Sequence, residues 1–297
     1  MLKSWRRWRR GAVHLQATSA WSAAVPADWP AWILDVPVTD RFHAKQGRST
    51  GRWFVPGPAP LVVYLKRHYE LPLGMRLRVL LGVGSSPALV EARHLETTRR
   101  LGIPVPETLM AAEWVGPGLR LRSALALAEL TGQWAINEAM PHARRALSAQ
   151  GWQRWKRLVS VETARMTARL HQAGWFHQDL YLCHFYVHLP GPAVNVGPGD
   201  VHLIDLGRLC RRRWFSLPAQ VKDLAQLLYS SWIEGVTARD RLRWWRHYRQ
   251  ARGIRRGSWW ECLLRRLVIM KARRYGRHNE RHGVLTLPTT SARKMSA

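Results

Sequence analysis

Two short acidic motifs in the second half of the chain most restrict what it can fold into. His177–Phe185 reads His-Gln-Asp-Leu-Tyr-Leu-Cys-His-Phe, and Ile204–Gly207 reads Ile-Asp-Leu-Gly. Taken singly, Asp179 could cap a turn and Asp205 could end a strand. Together with His184 they provide what phosphoryl transfer requires, because one carboxylate orients the nucleophile while the other groups hold Mg²⁺. The pattern therefore favours chemistry over two unrelated structural roles.

The residues around these motifs predict a helix followed by a hairpin. Apolar residues recur at spacings of three and four from about Trp152, and this helix is expected to end at Ala173. Short strands are predicted at Phe185–Leu189 and Val201–Ile204, joined by the Pro- and Gly-rich segment Pro190–Asp200. The first motif thus lies between the helix and the hairpin, and the second lies where the hairpin ends.

A second set of residues, in the first half of the chain, is suited to binding phosphates. A hairpin containing Gly47 would let backbone amides approach phosphate oxygens, and Arg48 adds positive charge. Lys66 ends an apolar, β-branched run, and Glu91 lies in a helix predicted from Pro87 to about Arg100. An ordinary turn, an exposed strand-end lysine and a solvated glutamate would have the same sequence, so these residues alone leave both readings open.

The order of the acidic motifs resembles the catalytic loop and metal-binding aspartate of protein-kinase-like enzymes. The string His177–Phe185 is similar to the His-Arg-Asp-x-Tyr-x-x-His-Phe string of the lipopolysaccharide core kinases, the heptose and Kdo kinase family of Gram-negative bacteria. Gln178 stands where that family usually has Arg, whereas His184 replaces the Asn of protein kinases as it does in the family. The resemblance extends from about Phe42 to Arg249.

This resemblance implies an α+β, two-lobed protein-kinase-like fold with ATP and Mg²⁺ bound between the lobes. The N-terminal lobe would be an antiparallel sheet plus one helix, and the C-terminal lobe would be mainly helical. The expected divisions are a basic, Trp-rich segment at 1–35, a nucleotide-binding lobe at 36–129, a catalytic and substrate lobe at 130–275, and a polar tail at 276–297.

By the same resemblance, the residues of the two acidic motifs acquire separate roles. Asp179 would accept or orient the proton of a sugar hydroxyl, while Asp205 and His184 would hold Mg²⁺. Asp223 lies in a Lys-Asp-Leu string that the family also carries. Asp223 could brace the catalytic loop through its backbone, or it could be an ordinary acid near a helix N-terminus.

The resemblance also assigns roles on the nucleotide side. Lys66, positioned by Glu91, would attract the phosphates of ATP through its positive charge. The Lys-Gln-Gly-Arg string at 45–48 resembles the phosphate-covering loop of the family, in which Gly47 would let the loop close and Arg48 would add charge. ATP and Mg²⁺ are therefore the expected cofactors.

The charge of the chain limits its partners. Lys and Arg number 47 against 19 Asp and Glu, a net charge of +28, and such a field attracts polyanions. The charge is spread through predicted helices rather than concentrated in long runs, which argues against a nucleic-acid-binding tail. The tryptophans of segment 1–35, interleaved with arginines, suit a membrane interface or could instead dock on the body of the protein. We expect a lipopolysaccharide core or lipid A–core glycolipid as substrate, an anionic membrane surface as partner, and no specific nucleic acid.

Cysteine usage and hydropathy predict the compartment. The three cysteines are scattered and lack Cys-x-x-Cys spacing, so neither a disulfide framework nor a zinc site is expected. No apolar run of about 18 residues occurs, and the N-terminus does not resemble a signal peptide. These features predict a cytoplasmic protein, and the family resemblance implies that it is peripheral on the cytoplasmic face of the inner membrane.

The function that the resemblance implies is transfer of the γ-phosphate of ATP to a sugar hydroxyl of the lipopolysaccharide inner core, with heptose I as the first choice. One alternative is a Kdo kinase or another small-molecule sugar kinase of the same fold. Another is a non-catalytic, kinase-shaped protein that binds anionic membrane or nucleic acid.

Overall fold

The computed structural model describes residues 8–37, 39–40, 47–56, 61–191 and 194–281. Residues 1–7 of the basic N-terminal segment, residues 45 and 46 of the phosphate-loop string, and residues 282–297 of the expected tail lie outside this part. The described residues form two compact units. One contains the chain up to Arg99 together with Val105–Thr131, and the other contains Arg100–Pro104 and the chain from Gly132 onwards.

The first unit is built on a six-stranded antiparallel sheet with the strand order β1-β5-β6-β4-β3-β2. The strands are β1 (Ala12–Ala17), β2 (Thr39–Asp40), β3 (Arg48–Val55), β4 (Leu61–His68), β5 (Thr108–Gly116) and β6 (Arg120–Ala128). Buried and more exposed residues alternate along β3, so one face of this strand packs on the core. Nearly every side chain from Leu109 to Val115 in β5 is buried, as expected for a strand inside the sheet.

The N-terminal segment contributes to the core of the first unit. Its strand β1 pairs with β5 at one edge of the sheet. Trp21 is fully buried, and its ring centroid lies 5.6 Å from that of Trp29 and 6.1 Å from that of Trp53. For Trp21 and Trp29, therefore, docking on the body of the protein is the observed arrangement.

The first unit also has more helix than the sequence predicted. Besides the expected helix α3 (Pro87–Arg100), its described residues include the shorter helices α1 (Ser19–Ala24) and α2 (Leu73–Leu80). Helix α2 was not predicted from the sequence. Its N-cap, Pro72, makes no side-chain cap hydrogen bond, and Gly74 weakens its first turn. The stop signal predicted after α3 is present, since Gly102 has a φ of +66°.

The second unit is mainly helical. Its helices are α4 (Ile136–Ala146), α5 (Ala149–Gln172), α6 (Leu217–Ser230), α7 (Ala238–Ala251) and α8 (Trp259–Arg281). Its strands are β7 (Gln133–Ala135), β8 (Trp175–Phe176), β9 (Phe185–His188), β10 (Val201–Leu203) and β11 (Cys210–Arg211). They form a three-stranded sheet of order β10-β9-β7 and the two-stranded pair β11-β8. The hairpin predicted around the acidic motifs is β9 with β10.

Two helices of the second unit differ from the sequence-based expectation. Helix α4 was not predicted, because Pro141 within it is normally a helix breaker. Helix α8 continues beyond Gly276, where a loosely held tail was expected to begin. A Cβ at Gly276 would lie 3.3 Å from the ring of Trp232, so this glycine lets the helix pack closely against that ring. None of the described helices combines the length and apolarity needed to cross a membrane.

Candidate active site

Lys66 and Glu91 form an ion pair in the first unit. The Nζ atom of Lys66 donates to Glu91 Oε1 at 2.6 Å. The alternation along β4 directs Lys66 away from the buried side of Leu65 and Arg67, towards helix α3. Glu91 is only 5% exposed, and a buried carboxylate is costly unless it is paired in this way. The structure thus brings together the two residues that the sequence suggested as partners.

Gly47 and Arg48 lie where the chain enters β3. Gly47 has a φ of +53°, and a Cβ at this position would lie 2.8 Å from the carbonyl oxygen of Glu70. The Gly47 carbonyl accepts from the Tyr69 amide at 2.7 Å, so the glycine continues the pairing of β3 with β4 one step beyond Arg48 and His68. Burial, with the charges of Lys66 and Arg48, lowers the pKa of the neighbouring His68 to about 4.

Asp223 holds the start of the candidate catalytic loop, His177–Phe185, in the second unit. Its carboxylate is fully buried and accepts from the backbone amides of His177 and Gln178, both at 2.7 Å. The same carboxylate accepts from His171 Nε2 at 3.2 Å, and burial lowers the pKa of that imidazole. Of the two readings left open by the sequence, bracing of the loop is therefore the observed one.

Two non-glycine residues of the loop region have left-handed backbones. They are Gln178, with φ +65°, and Asp205, with φ +60°. Such conformations cost roughly 1–3 kcal/mol each and persist only where surrounding contacts enforce them. Here Asp223 holds the amide of Gln178, and His177 Nε2 donates to the carbonyl of Ile204 at 3.0 Å. These contacts join the two acidic motifs, as expected of a functional site.

Asp179 is oriented by a residue that the sequence analysis did not identify. Gln226 Nε2 donates to Asp179 Oδ1 at 3.4 Å, and Gln226 Oε1 accepts from the Leu180 amide at 3.2 Å. Arg208 lies on the other side, with its Nη1 atom 3.7 Å from Asp179 Oδ2. Gln226 follows Asp223 by three residues on α6, and this helical spacing could have identified it.

Ser230 extends the same row of side chains on α6. Its hydroxyl accepts from the backbone amide of Leu182 at 3.0 Å. Asp223, Gln226 and Ser230 therefore lie on one face of the helix and hold four amides between His177 and Leu182. The loop is positioned by one rigid element instead of by scattered contacts.

His184 and Asp205 face each other across a gap in which a cation would fit. His184 Nδ1 donates to the carbonyl of Asp179 at 2.6 Å, which leaves a lone pair on Nε2. This Nε2 atom lies 3.9 Å from Asp205 Oδ2. In the part of the chain that the structure describes, no group of three or more potential metal-ligating side chains occurs. A site of two protein groups suits Mg²⁺, which takes its remaining ligands from phosphates and water, although nitrogen suits it less well than oxygen.

A largely apolar cavity of about 360 Å³ lies among the helices of the second unit. Its walls include Val159 of α5, Leu228 of α6 and Val268 of α8. The buried pair Lys156–Asp240, with an Nζ–Oδ2 distance of 2.7 Å, provides its charged groups together with nearby arginines. This cavity could not be predicted from the sequence, because its lining residues come from five separate helices.

Comparisons with known proteins indicate the family of the chain. The sequence model of the lipopolysaccharide kinase (Kdo/WaaP) family matches residues 75–248. The lipopolysaccharide core heptose(I) kinase WaaP of Pseudomonas aeruginosa is 30% identical over 251 residues, which cover 79% of this chain and 88% of that protein. WaaP of Escherichia coli K12 is 29% identical over 259 residues, or 82% of this chain and 89% of the relative.

Two further matches are informative. A 3-deoxy-D-manno-octulosonic acid kinase of Stenotrophomonas maltophilia is 30% identical over 141 residues, covering 46% of this chain and 51% of the relative. A solved structure of WaaP in complex with acyl carrier protein matches with a TM-score of 0.62 and 25% identity, covering 88% of this chain and 98% of that chain.

These matches confirm the family and the fold that the acidic motifs suggested. The sheet-based first unit and the helical second unit agree with the protein-kinase-like α+β fold. Family membership makes the chain a phosphotransferase with an alcohol group as acceptor, and ATP is the phosphoryl donor that such a kinase uses. The chain belongs to the lipopolysaccharide kinase (Kdo/WaaP) family and is a kinase of a lipopolysaccharide core sugar.

Proposed function

We propose that this kinase transfers the γ-phosphate of ATP to a hydroxyl of heptose I in the lipopolysaccharide inner core. The choice between heptose and Kdo is supported by coverage. The heptose(I) kinases match about four fifths of this chain, whereas the Kdo kinase matches less than half. A Kdo kinase is the alternative that the experiment must distinguish.

The observation that carries the proposal is the fixed position of Asp179. Its loop is held by three side chains of one helix, and its carboxylate is partly exposed and able to meet a hydroxyl. In the proposed reaction Asp179 orients the sugar hydroxyl and accepts its proton as the new P–O bond forms. Positioning and charge neutralisation supply most of the rate in phosphoryl transfer, so a rigid loop is what the reaction needs.

The other candidate residues would neutralise the negative charge of the phosphates. Lys66, fixed by Glu91, attracts the phosphates of the nucleotide, and Arg48 adds positive charge beside the Gly47 turn. Asp205 and His184 would hold Mg²⁺, which when bound neutralises negative charge on the transferred phosphoryl group.

The test is incubation of the protein with labelled ATP and two purified core acceptors, one ending in heptose I on Kdo and the other in Kdo alone. We expect label on heptose from the first acceptor and little label on the second. The variant Asp179→Asn should lower kcat by about 10³-fold while the circular dichroism spectrum stays unchanged. Label on Kdo with none on heptose would overturn the heptose assignment. An Asp179→Asn variant with near-normal activity would overturn the role of Asp179.

We also propose an acyl carrier protein as a partner. The related WaaP has been solved in complex with acyl carrier protein, and the cavity of the second unit is apolar and of a size that accepts an alkyl chain. Acyl carrier protein bearing a long acyl thioester should bind more tightly than the unacylated form. Filling the cavity by Val159→Trp should abolish this preference, whereas Val83→Trp at an exposed position of the first unit should not. Equal binding of both forms would contradict the assignment.

The membrane and cellular location belong to the same proposal. A glycolipid acceptor is anchored in a leaflet, and a net charge of +28 favours association with anionic lipid. We therefore expect a protein that acts at the cytoplasmic face of the inner membrane without crossing it.

A further inference from the structure

An exposed turn, Arg211–Phe215, is the most unusual surface feature of the second unit. Of the large hydrophobic side chains that the structure describes, Trp214 and Phe215 are the two most exposed, at 82% and 94%. They are adjacent, and the three residues before them are arginines that are also exposed. Turn tips normally carry small or polar residues, so two bare aromatic rings here require an explanation.

The base of the Arg211–Phe215 turn is fixed. Strand β11 pairs with β8, and the Arg212 amide donates to the carbonyl of Gly174 at 2.8 Å. The guanidinium of Arg211 lies 6.0 Å from the ring centroid of Trp175. On the other side, helix α6 begins at Leu217. Because both ends are tied to regular elements, the rings are presented by an ordered turn.

The backbone of the turn keeps its aromatic side chains exposed. Phe215 has a φ of +54°, a conformation that bulky residues adopt only rarely. A left-handed Phe that is almost fully exposed gains nothing from burial within this unit. The strain and the exposure are both accounted for if a partner outside the chain covers the ring.

The charge around the turn identifies the kind of partner. From residue 206 to residue 222 the sequence contains five basic residues and no acidic one. Aromatic rings beside several arginines are the combination that binds an anionic bilayer, since the rings enter the headgroup region while the cations meet lipid phosphates.

The Arg211–Phe215 turn is also close to the catalytic loop, because both strands at its base adjoin residues of the candidate active site. Strand β8 leads directly into His177, and β11 follows Arg208, whose Nη1 atom lies 3.7 Å from Asp179 Oδ2. Anchoring the turn in a leaflet would therefore fix the distance between Asp179 and the membrane surface.

We propose that Trp214 and Phe215 insert into the headgroup region of an anionic membrane leaflet, with Arg211, Arg212 and Arg213 contacting its phosphates. The turn thereby holds the catalytic loop at the surface in which the acceptor is anchored. The bilayer contact stands on the turn itself, whereas its catalytic purpose rests on the proposed function.

The binding test uses the full-length protein and flotation with vesicles of phosphatidylethanolamine and phosphatidylglycerol. The double variant Trp214→Ser/Phe215→Ser should lower the partition coefficient by about tenfold or more, because the inserted rings are lost. Phe54→Ser removes a ring that is 57% exposed on the first unit and should leave binding unchanged. Replacing the three arginines with Gln should reduce the preference for these anionic vesicles over zwitterionic ones, although the remaining positive charge of the chain keeps part of it.

A second measurement does not depend on the fold of the double variant. Lipids brominated near the headgroup should quench part of the fluorescence of the wild-type protein, and Trp214→Phe should abolish that part while retaining vesicle binding. If the double variant binds vesicles like the wild type, or if Trp214→Phe is quenched as strongly, the proposal is overturned. The proposal would also be overturned if a protein or a polynucleotide bound at the turn and the variants showed no loss of vesicle binding.

Kinetics separate this proposal from the proposed function. The double variant should show a KM raised by about tenfold for glycolipid embedded in vesicles, with kcat and KM unchanged for a water-soluble, deacylated core oligosaccharide. If the wild type phosphorylates neither acceptor, the proposed function fails while the vesicle result still decides the bilayer contact. An equal loss on both acceptors would overturn the positional role of the turn.

Discussion

At the scale of single residues, His184 is the candidate ligand with the least ordinary chemistry. Its Nδ1 atom is committed to the carbonyl of Asp179, so only Nε2 is available towards Asp205. Mg²⁺ prefers oxygen ligands, so a nitrogen at this position predicts a weaker or less selective metal site than an amide oxygen would give.

Substitution of His184 tests this point. His184→Asn should keep kcat within about tenfold and lower the Mg²⁺ concentration needed for half-maximal activity, because it supplies an oxygen ligand. His184→Ala should lower kcat by about 10²-fold and raise that concentration. Titration of activity with Mg²⁺ and with Mn²⁺ checks both expectations. An unchanged metal requirement in the alanine variant would remove His184 from the ligand set.

His68 makes stability depend on pH. Burial, aided by the charges of Lys66 and Arg48, lowers the pKa of His68 from 6.5 to about 4 in the folded state. Between these values the unfolded chain binds a proton that the folded chain does not, so the free energy of unfolding falls as the pH drops below 6.5. At about pH 5 the loss should be about 2 kcal/mol.

Urea unfolding at about pH 7.5 and pH 5 measures this effect in the wild type and in His68→Gln. The glutamine variant should lose less stability between the two conditions. Some loss should remain, because burial also lowers the pKa values of His171 and His177. Identical pH dependence of the two proteins would show that His68 titrates normally.

At the scale of elements, helix α6 organises the catalytic loop. It holds the amides of His177, Gln178, Leu180 and Leu182 through side chains three and four residues apart. The sequence allowed Asp223 to be suspected from its family string. The polar row that continues through Gln226 and Ser230 was missed because, among apolar neighbours, such residues look like ordinary helix positions.

The contribution of the row can be measured by Gln226→Ala and Ser230→Ala. Gln226→Ala should lower kcat by about tenfold or more with little change in the KM for ATP, since Asp179 loses a positioning contact. Ser230→Ala should have a smaller effect, because the amide it leaves lies farther from Asp179 along the loop. Gln226→Glu keeps the acceptor oxygen for Leu180 but replaces the donor to Asp179 with a second carboxylate, so it should lower kcat at least as much as Gln226→Ala. Equal kcat values for all three variants and the wild type would contradict the positioning role.

The elements were predicted with unequal success, for physical reasons. Helix α3 was predicted from a start signal at Pro87 and a stop signal after Arg100, and α5 was predicted from its apolar spacing and its end at Ala173. Helix α4 was missed because its internal Pro141 disfavours helix locally, and tertiary packing around buried Ala139 and Ala143 stabilises it nevertheless. The left-handed backbone of Asp205 could not be predicted, because it depends on contacts with distant residues.

At the scale of the whole molecule, the N-terminal segment is part of the folded core of the first unit. Its strand β1 forms the edge of the large sheet, and Trp21 lies at the centre of a cluster of tryptophans. Deleting residues 1–30 would remove β1 and α1 as well as any lipid contact of this segment. The structure predicts that this deletion would instead destabilise the first unit, so it cannot report on lipid contact.

Trp21→Ala tests the structural role of this segment. Removing a fully buried indole should lower the free energy of unfolding by about 3–5 kcal/mol, while Trp21→Phe should lose less because most of the volume is retained. Trp259→Ala, at a position that is 74% exposed, provides the control. Denaturant unfolding of the three variants gives the comparison. A loss below about 1 kcal/mol for Trp21→Ala would mean that the segment is dispensable to the fold.

The attachment of the catalytic loop to α6 has a consequence for hydrogen exchange. An amide whose acceptor is a buried carboxylate can meet solvent only when that carboxylate moves away from it. The amides of His177 and Gln178 share one acceptor, so they should become labelled in a single opening event, at the same pace as the core of α6. Unfolding of the helical unit and loss of phosphoryl transfer would then be one cooperative transition. Both should occur over the same range of denaturant concentration.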